Sequence, residues 1–127
     1  CLNLKIHIIE PCGFNLNDPR FKRVAMDYFG LSKILRYEDY DKFLTKNKKK
    51  RIILMTTKAK KNYHKFIFKK NDILLFGRES AGVPENVHKV IKEKIKIPMN
   101  KKTRSLNVAI SVAIVASEAL RQNNLLR

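Results

Sequence analysis

Three segments of the chain place glycine, polar and basic residues directly after short apolar runs. They are LMTTK at residues 54–58, LLFGRESAGVP at 74–84 and IKIPMNKKTRSLN at 95–107. If the apolar runs are parallel strands, their carboxyl ends meet at one edge of a sheet. Open α/β sheets bind ligands there, through loop main chain and helix N termini. The three segments therefore predict the wall of one binding crevice.

The middle segment contains two of the four glycines in the chain. Gly77, at the end of a predicted strand, would let a ligand lie against bare main chain, and Gly82 followed by Pro84 would turn the chain into a helix. An ordinary strand-to-helix turn braced by a Glu is the alternative, and it is the simpler interpretation of this segment by itself. The sequence contains neither the GxxxxGK[ST] nor the GxGxxG nucleotide motif, and no serine-hydrolase nucleophile elbow.

Apolar runs alternate with helical patterns, which predicts an α/β fold with a mainly parallel sheet flanked by helices. Strands are predicted at residues 4–11, 51–57 and 71–77, with weaker candidates at 32–37 and 93–98. Helices are predicted at residues 18–27, 37–46, 84–92 and 105–124. The last helix, with Ser105 as its expected cap, is apolar on nearly all faces. It must therefore be buried deep in the domain or against a second subunit.

Length and charge bound the class of protein. A chain of 127 residues with 44% hydrophobic residues predicts one globular domain, residues 1–127. Its 28 Lys and Arg against 11 Asp and Glu give a net charge of +17, which points to a polyanionic partner, nucleic acid first. The alternative is a coding bias that enriches Lys, Asn and Ile, so that the lysines merely solvate the surface.

The cysteines and the hydrophobic pattern argue against several other classes. Cys1 and Cys12 form no CxxC motif, disulfide framework or zinc-site spacing, so we expect no metal and a reducing, cytoplasmic location. No signal peptide is visible. The most apolar stretch, residues 106–120, is short and carries Asn107 and Glu118, so we expect no membrane association.

The ordered combination of motifs resembles one family. TTK, FGRESAGVP, IPM and RSLNVAISVAIVASEALRQ, with IIEPCGF, DPRFKR and AMDYF upstream, are similar to the SpoU-type RNA ribose 2′-O-methyltransferases of the SPOUT superfamily. The small single-domain enzymes that methylate the wobble nucleotide of tRNA are the most similar group. The resemblance implies S-adenosylmethionine as cofactor, methylation of a wobble cytidine or uridine, a C-terminal trefoil knot and a homodimer.

The resemblance also assigns site residues. The residues implied to bind the cofactor are Met55, Gly77, Ile97 and Ser105, with Met99 and Leu106 lining the same pocket. Of these, Met55 and Ile97 taken alone would be interpreted as core residues. Arg20, Lys22 and Arg23 of the DPRFKR motif are expected to contact tRNA.

Catalysis requires the ribose 2′-hydroxyl to lose its proton as it attacks the sulfonium methyl group. The family assigns the activating role to an Arg in an N-terminal NxGNxxR motif that this sequence lacks. Because the chain opens on Cys1 and runs at once into an apolar stretch, we expect the N-terminal strand and motif to be missing.

Two residues remain as catalytic candidates. Asn107, together with Ser105, resembles the family's residues that orient that Arg or the target ribose. Glu79 is expected to brace its loop through Arg78 or Arg104. Helix capping and loop bracing are the alternative roles for these residues.

Further alternatives concern the function as a whole. A catalytically silent RNA-binding protein of the same fold is the main alternative, motivated by the absent motif. A ribosomal RNA substrate is disfavoured because the chain has no appended RNA-binding domain. Ser117 stands where close relatives have a Tyr in the last helix, which we expect to weaken or rearrange the dimer contact.

Overall fold

The computed structural model describes residues 2–12, 17–20, 22–23 and 34–126. The chain divides into two units, residues 1–49 and 50–127. Each unit has its own parallel sheet.

The described elements of the first unit are β1 (Ile6–Ile9), β2 (Ile34–Tyr37) and α1 (Tyr40–Lys46). The two strands pair in parallel, with Ile6 opposite Ile34. Both predicted strands are confirmed. The helix predicted from residue 37 was placed too early, because Tyr37 completes β2 and Asp39 caps the helix by accepting a hydrogen bond from Lys42 N at 2.8 Å.

Aromatic rings join α1 to the strands of this unit. Phe43 of α1 is 1% exposed and meets the ring of Tyr37 edge-on at 5.3 Å between centroids. The Tyr37 hydroxyl and His7 Nδ1 are 2.9 Å apart, and their rings stack. This cluster packs Phe43 of the short helix against both strands.

Half of the helix predicted at residues 18–27 lies outside the described residues. Within the described part, Pro19, Arg20, Lys22 and Arg23 are helical. Asp18 begins this turn, since its main-chain carbonyl accepts from Lys22 N at 3.0 Å.

The described residues of the second unit, 50–126, form four strands, two helices and a 3₁₀ turn. They are β3 (Ile52–Met55), β4 (Lys61–Asn62), the 3₁₀ turn (Tyr63–Lys65), β5 (Ile73–Phe76), α2 (Glu85–Val90), β6 (Glu93–Lys96) and α3 (Val108–Gln122). The sheet order is β4-β6-β3-β5, and every neighbouring pair is parallel. The predicted α/β class with parallel strands is confirmed. β4 was not predicted, since two residues with Lys and Asn carry no strand pattern.

The core of this unit forms around the central strand. Ile53 and Leu54 of β3 and Ile95 of β6 are fully buried, as β-branched and aliphatic residues of an interior parallel strand must be. Val115 of α3 and Phe66 pack against Ile53 in the same cluster. The predicted strands at 51–57, 71–77 and 93–98 are therefore confirmed.

α3 begins three residues later than predicted. Asn107 caps it, with its side-chain oxygen accepting from Ala109 N at 2.9 Å and Ile110 N at 3.4 Å. The prediction of Ser105 as the cap was wrong, because the side chain of Asn107 is the one that accepts from the unpaired main-chain amides of the first turn.

Burial of α3 is one-sided. Val115, Ala116 and Leu120 are buried, whereas Ile110 is 53% exposed and Val112 is 36% exposed. Of the two alternatives, deep burial within the domain does not hold for the N-terminal half of the helix, and packing of this half against a second subunit stays a prediction. Neither α3 nor any other helix within the described ranges meets the length and hydrophobicity that crossing a bilayer demands.

Side-chain amides fasten the C-terminal end of α3. Gln122 accepts from Phe68 N and donates to the Phe66 carbonyl, both at 2.9 Å. Asn123 donates to the Phe68 carbonyl at 3.3 Å. The two side-chain amides thus supply hydrogen bonds to the main chain of Phe66 and Phe68, as the backbone of a neighbouring strand would.

Arg51 holds the same segment from the amino end of β3. Its guanidinium donates two hydrogen bonds to Asp72, at 2.8 and 2.6 Å, and a third to the Ile67 carbonyl at 2.9 Å. Because the Asp72 side chain is 5% exposed, this paired geometry is shielded from solvent better than a surface ion pair.

We expect Gln122→Ala to destabilise the protein by about 2 kcal/mol or more, because it leaves the Phe66 carbonyl and the Phe68 amide without partners. Urea denaturation measures the free energy of unfolding. The control is Lys42→Ala, which removes an exposed ion pair with Glu38 worth about 0–1 kcal/mol. Equal losses in the two variants would contradict the structural role of Gln122.

Glu118 should give the fold an acid-sensitive contribution. Hydrogen bonds from Arg121 and then Gln122 lower the pKa of Glu118 from 4.5 to about 2. The folded-state pKa lies below the unfolded one, so the stabilisation is complete above pH 4.5 and is lost as pH falls through about 2. We expect the free energy of unfolding of Glu118→Gln to change less between pH 5 and pH 2 than that of wild type. Parallel pH profiles in urea titrations would refute this.

Candidate functional site

A cavity of about 310 Å³ lies where β3, β5 and β6 end. Its wall includes residues from all three segments that the sequence singles out. The residues with predicted cofactor roles that line it are Met55, Gly77, Ile97 and Ser105, together with Met99 and Leu106. The structure therefore brings together, in one place, residues up to 51 positions apart in the chain.

Strand register explains this convergence. Met55 of β3 lies opposite Phe76 of β5 and Ile95 of β6. Thr56 continues the pairing beyond β3 by donating its N–H to the Ile95 carbonyl at 3.0 Å. The three loops consequently leave the sheet at nearly the same level.

The loop after β5 closes on itself. Arg78 and Gly82 exchange two main-chain hydrogen bonds, of 3.2 and 2.7 Å. A Cβ atom on Gly77 would lie 2.4 to 2.7 Å from main-chain atoms of Gly82 and Val83, and Gly82 has φ +66°. The loop's own backbone therefore requires glycine at position 77. Close approach of a ligand to the main chain of Gly77 stays a prediction.

Glu79 and Asn107 connect the second and third loops. Asn107 Nδ2 donates to Glu79 Oε1 at 2.8 Å, while the Asn107 oxygen caps α3. Glu79 lies on the cavity wall. The expected bracing through Arg78 or Arg104 was wrong, since among the described residues the bonded partner of Glu79 is Asn107.

The rim of the cavity is mainly cationic. Lys58, Arg78 and Lys96 line it, together with the carboxylate of Glu79. Lys58 also approaches Glu85 of α2 at 3.7 Å, with both side chains more than 60% exposed. The balance of charge at the rim thus favours an anionic ligand or substrate.

A family model described as the SpoU rRNA Methylase family matches residues 1–117. The chain belongs to the SpoU methylase family. Its relatives include the tRNA (cytidine(34)-2′-O)-methyltransferase of Ancylobacter novellus, 43% identical over 124 residues, covering 96% of this chain and 78% of the relative. The enzyme of the same name from Escherichia coli K12 is 35% identical over 126 residues, covering 96% of this chain and 80% of the relative.

Solved structures of SpoU-type proteins share the fold. A structure described as giving insights into 2-OH methylation of C/U34 on tRNA is 34% identical, with TM-score 0.86, over 93% of this chain and 78% of that one. A SpoU methyltransferase from Streptomyces viridochromogenes in complex with AdoMet is 19% identical, with TM-score 0.81, over 98% of this chain and 49% of that one. The latter supports the fold alone.

Sequence reasoning missed a polar pair on the wall of the SpoU-family cavity. His88 Nε2 of α2 and Thr56 Oγ1 are 3.4 Å apart, and Thr56 Oγ1 also accepts from Lys58 N at 3.3 Å. Both side chains line the cavity. The sequence could have indicated His88, because it lies one turn after Pro84 on a predicted helix that starts at the carboxyl edge of the sheet.

The predicted RNA contacts belong to the first unit. Arg20, Lys22 and Arg23 are exposed. Arg20 donates to the Asp18 carboxylate at 3.1 Å, and this bond holds the pKa of Asp18 below its ordinary value. Contact of these residues with RNA stays a prediction. Within the described ranges, no cluster of three or more His, Cys, Asp or Glu could hold a metal ion.

We expect Gly77→Ala to open the loop after β5, at a cost of about 1–3 kcal/mol in unfolding free energy. Amide hydrogen exchange at Arg78 and Gly82 should accelerate, because their mutual hydrogen bonds must break to make room. In the matched variant Gly82→Ala a Cβ meets nothing within 4 Å and adds only strain from the positive φ, about 1–2 kcal/mol. Protected amides at both positions in Gly77→Ala would contradict the steric explanation.

Proposed function

We propose that the protein transfers the methyl group of S-adenosylmethionine to the ribose 2′-hydroxyl of a tRNA wobble nucleotide, cytidine or uridine 34. The observation that carries the proposal is the convergence of three strand-end loops on one cavity in a SpoU-family chain. Relatives at 35% identity or more are named for this reaction, and the chain covers more than three quarters of their length.

The residues of the cavity suit this cofactor. A volume of about 310 Å³ is at the lower end of the range for small-molecule sites. Met55, Ile97 and Leu106 offer apolar contact to an adenine ring, and Gly77 and Ser105 offer main-chain and hydroxyl groups. When bound, S-adenosylmethionine supplies an electrophilic methyl group on a sulfonium ion.

We assign Glu79 and Asn107 to positioning of the target ribose. Asn107 fixes Oε1 of Glu79 on the cavity wall. No second donor within the described residues binds this carboxylate, so it keeps acceptor capacity for a hydroxyl group. A fixed acceptor beside the reacting oxygen orients the hydroxyl for in-line attack.

The same proposal includes the larger assembly. We propose that residues 1–127 form one methyltransferase domain with the C-terminal trefoil knot of the SPOUT superfamily, acting as a cytoplasmic homodimer. Exposure of Ile110 and Val112 on α3 supports a second subunit at this helix. Ser117 of the same helix, which we expect to weaken or rearrange the dimer contact, is half-buried.

Arg20, Lys22 and Arg23 are proposed to contact the tRNA.

Methyl transfer from radiolabelled S-adenosylmethionine to tRNA tests the function, using the protein as its gene encodes it. We expect one methyl group per acceptor tRNA, recovered after digestion as the 2′-O-methyl nucleoside of position 34. A tRNA with 2′-deoxyribose at position 34 is the control and should accept nothing. Folded protein that binds tRNA and S-adenosylhomocysteine without any transfer would instead support the catalytically silent alternative.

We expect Glu79→Gln to reduce kcat by about 10²-fold with little change in KM for S-adenosylmethionine, because the variant alters the orientation of the ribose. Glu85→Gln is the matched control, since Glu85 is an exposed carboxylate that pairs with Lys58 of the rim without itself lining the cavity. Steady-state kinetics measure both. A Glu79→Gln enzyme with unchanged kcat would remove Glu79 from the site.

A further inference from the structure

Basic side chains gather at both edges of the sheet in the second unit. At the carboxyl edge, at or beyond the ends of β3, β5 and β6, are Lys58, Arg78, Lys96, Lys101, Lys102 and Arg104. At the amino edge, before the same strands, are Lys50, Lys69, Lys70 and Lys92. Because all the strands run in one direction, the two groups lie at opposite ends of the sheet. Charge alone does not distinguish them.

The loop of residues 100–104 at the carboxyl edge is ordered by a turn around Asn100. The Asn100 side chain accepts from Lys102 N at 3.0 Å, and its carbonyl accepts from Thr103 N at 3.0 Å and Thr103 Oγ1 at 2.7 Å. Met99 before the loop and Ser105 after it both line the cavity. The turn therefore holds its cations beside the cavity mouth.

The charges of this loop are uncompensated. Among the described residues, none of Lys101, Lys102 and Arg104 forms an ion pair, and all three are exposed. Glu85 pairs with Lys58, and Glu79 is hydrogen-bonded to the amide of Asn107 and not to a cation of this loop. An exposed, ordered cationic turn without counter-charges on the protein is suited to phosphate groups.

We propose that the loop of residues 100–104 is the surface that binds the phosphate backbone of the RNA substrate, next to the nucleotide whose ribose enters the cavity. This inference rests on the proposed function. The partner is a single-stranded RNA loop, such as an anticodon loop, because its backbone can splay to bring one ribose into a cavity while adjacent phosphates remain outside. Lysines acting as point charges position such a backbone without reading its bases.

The amino edge supplies a matched control. Lys101→Gln, Lys102→Gln and Arg104→Gln together remove three positive charges, as do Lys50→Gln, Lys69→Gln and Lys70→Gln. Both triple variants have the same net charge, and neither touches a residue of the cavity wall. A difference between them therefore reports the place of the charge and not its amount.

Affinity for an anticodon stem-loop RNA is measured at several salt concentrations, and affinity for S-adenosylhomocysteine is measured alongside. For the 100–104 variant we expect at least about a tenfold loss of RNA affinity at low salt and a salt slope smaller by about 2, since each single-strand phosphate contact contributes about 0.7. The amino-edge variant should stay close to wild type. Both should bind S-adenosylhomocysteine as wild type does.

The outcomes separate this inference from the proposed function. Equal losses of RNA affinity in the two triple variants would show that net charge alone sets the affinity, and this result would overturn the proposal. Unchanged RNA affinity in both variants would overturn it as well. Wild-type protein that binds RNA through this loop but transfers no methyl group would support the surface and reject the proposed reaction. Should the triple variant fail to fold, Lys101→Gln with Lys102→Gln replaces it, because neither side chain makes a hydrogen bond within the described structure.

Discussion

β3 pairs in parallel with β5 on one side and with β6 on the other, and the position of the cavity depends on this pairing. The register sets Met55 level with Phe76 and Ile95. Fully buried side chains hold it, because a slip of one residue would turn Ile53 and Leu54 to the opposite faces. A slip of two would preserve the faces but separate the loop after β6 from the loop after β3. The site is thus a consequence of core packing several residues away from it.

α3 is tied to the elements on either side of β5 by polar bonds at both of its ends. At its start, Asn107 bonds to Glu79 in the loop that follows β5. At its end, Gln122 bonds to the main chain of Phe66 and Phe68, which precede β5. Such anchoring fixes the helix without complete burial, since Val115 and its neighbours on one face suffice for the core. It explains how an apolar helix can leave its N-terminal half exposed in a single chain.

The sequence could predict the strands but not the ends of the helices. β-branched and aliphatic runs identify interior parallel strands because burial on both faces demands them. Capping is ambiguous, since Ser105 and Asn107 are both good N-cap residues. The bond from Asn107 to Glu79, 28 residues away in the chain, is a tertiary contact with no local signal. Family resemblance predicted which residues line the cavity. It did not predict that Asn107 binds Glu79 or that the backbone of Gly82 and Val83 leaves no room for a Cβ at Gly77, because both are tertiary contacts.

The two cationic edges of the sheet differ in what they can influence. A four-residue strand spans about 13 Å, while the Debye length at physiological ionic strength is about 8 Å. Charges before β3, such as Lys50, are therefore largely screened from a substrate at the cavity. Charges after the strands, such as Lys102, lie within reach. A coding bias towards lysine would enrich both edges alike, so net charge is a poor guide to function in this chain. The direction of the strands, together with the hydrogen-bonded turn at Asn100, decides which lysines can act on a bound nucleic acid.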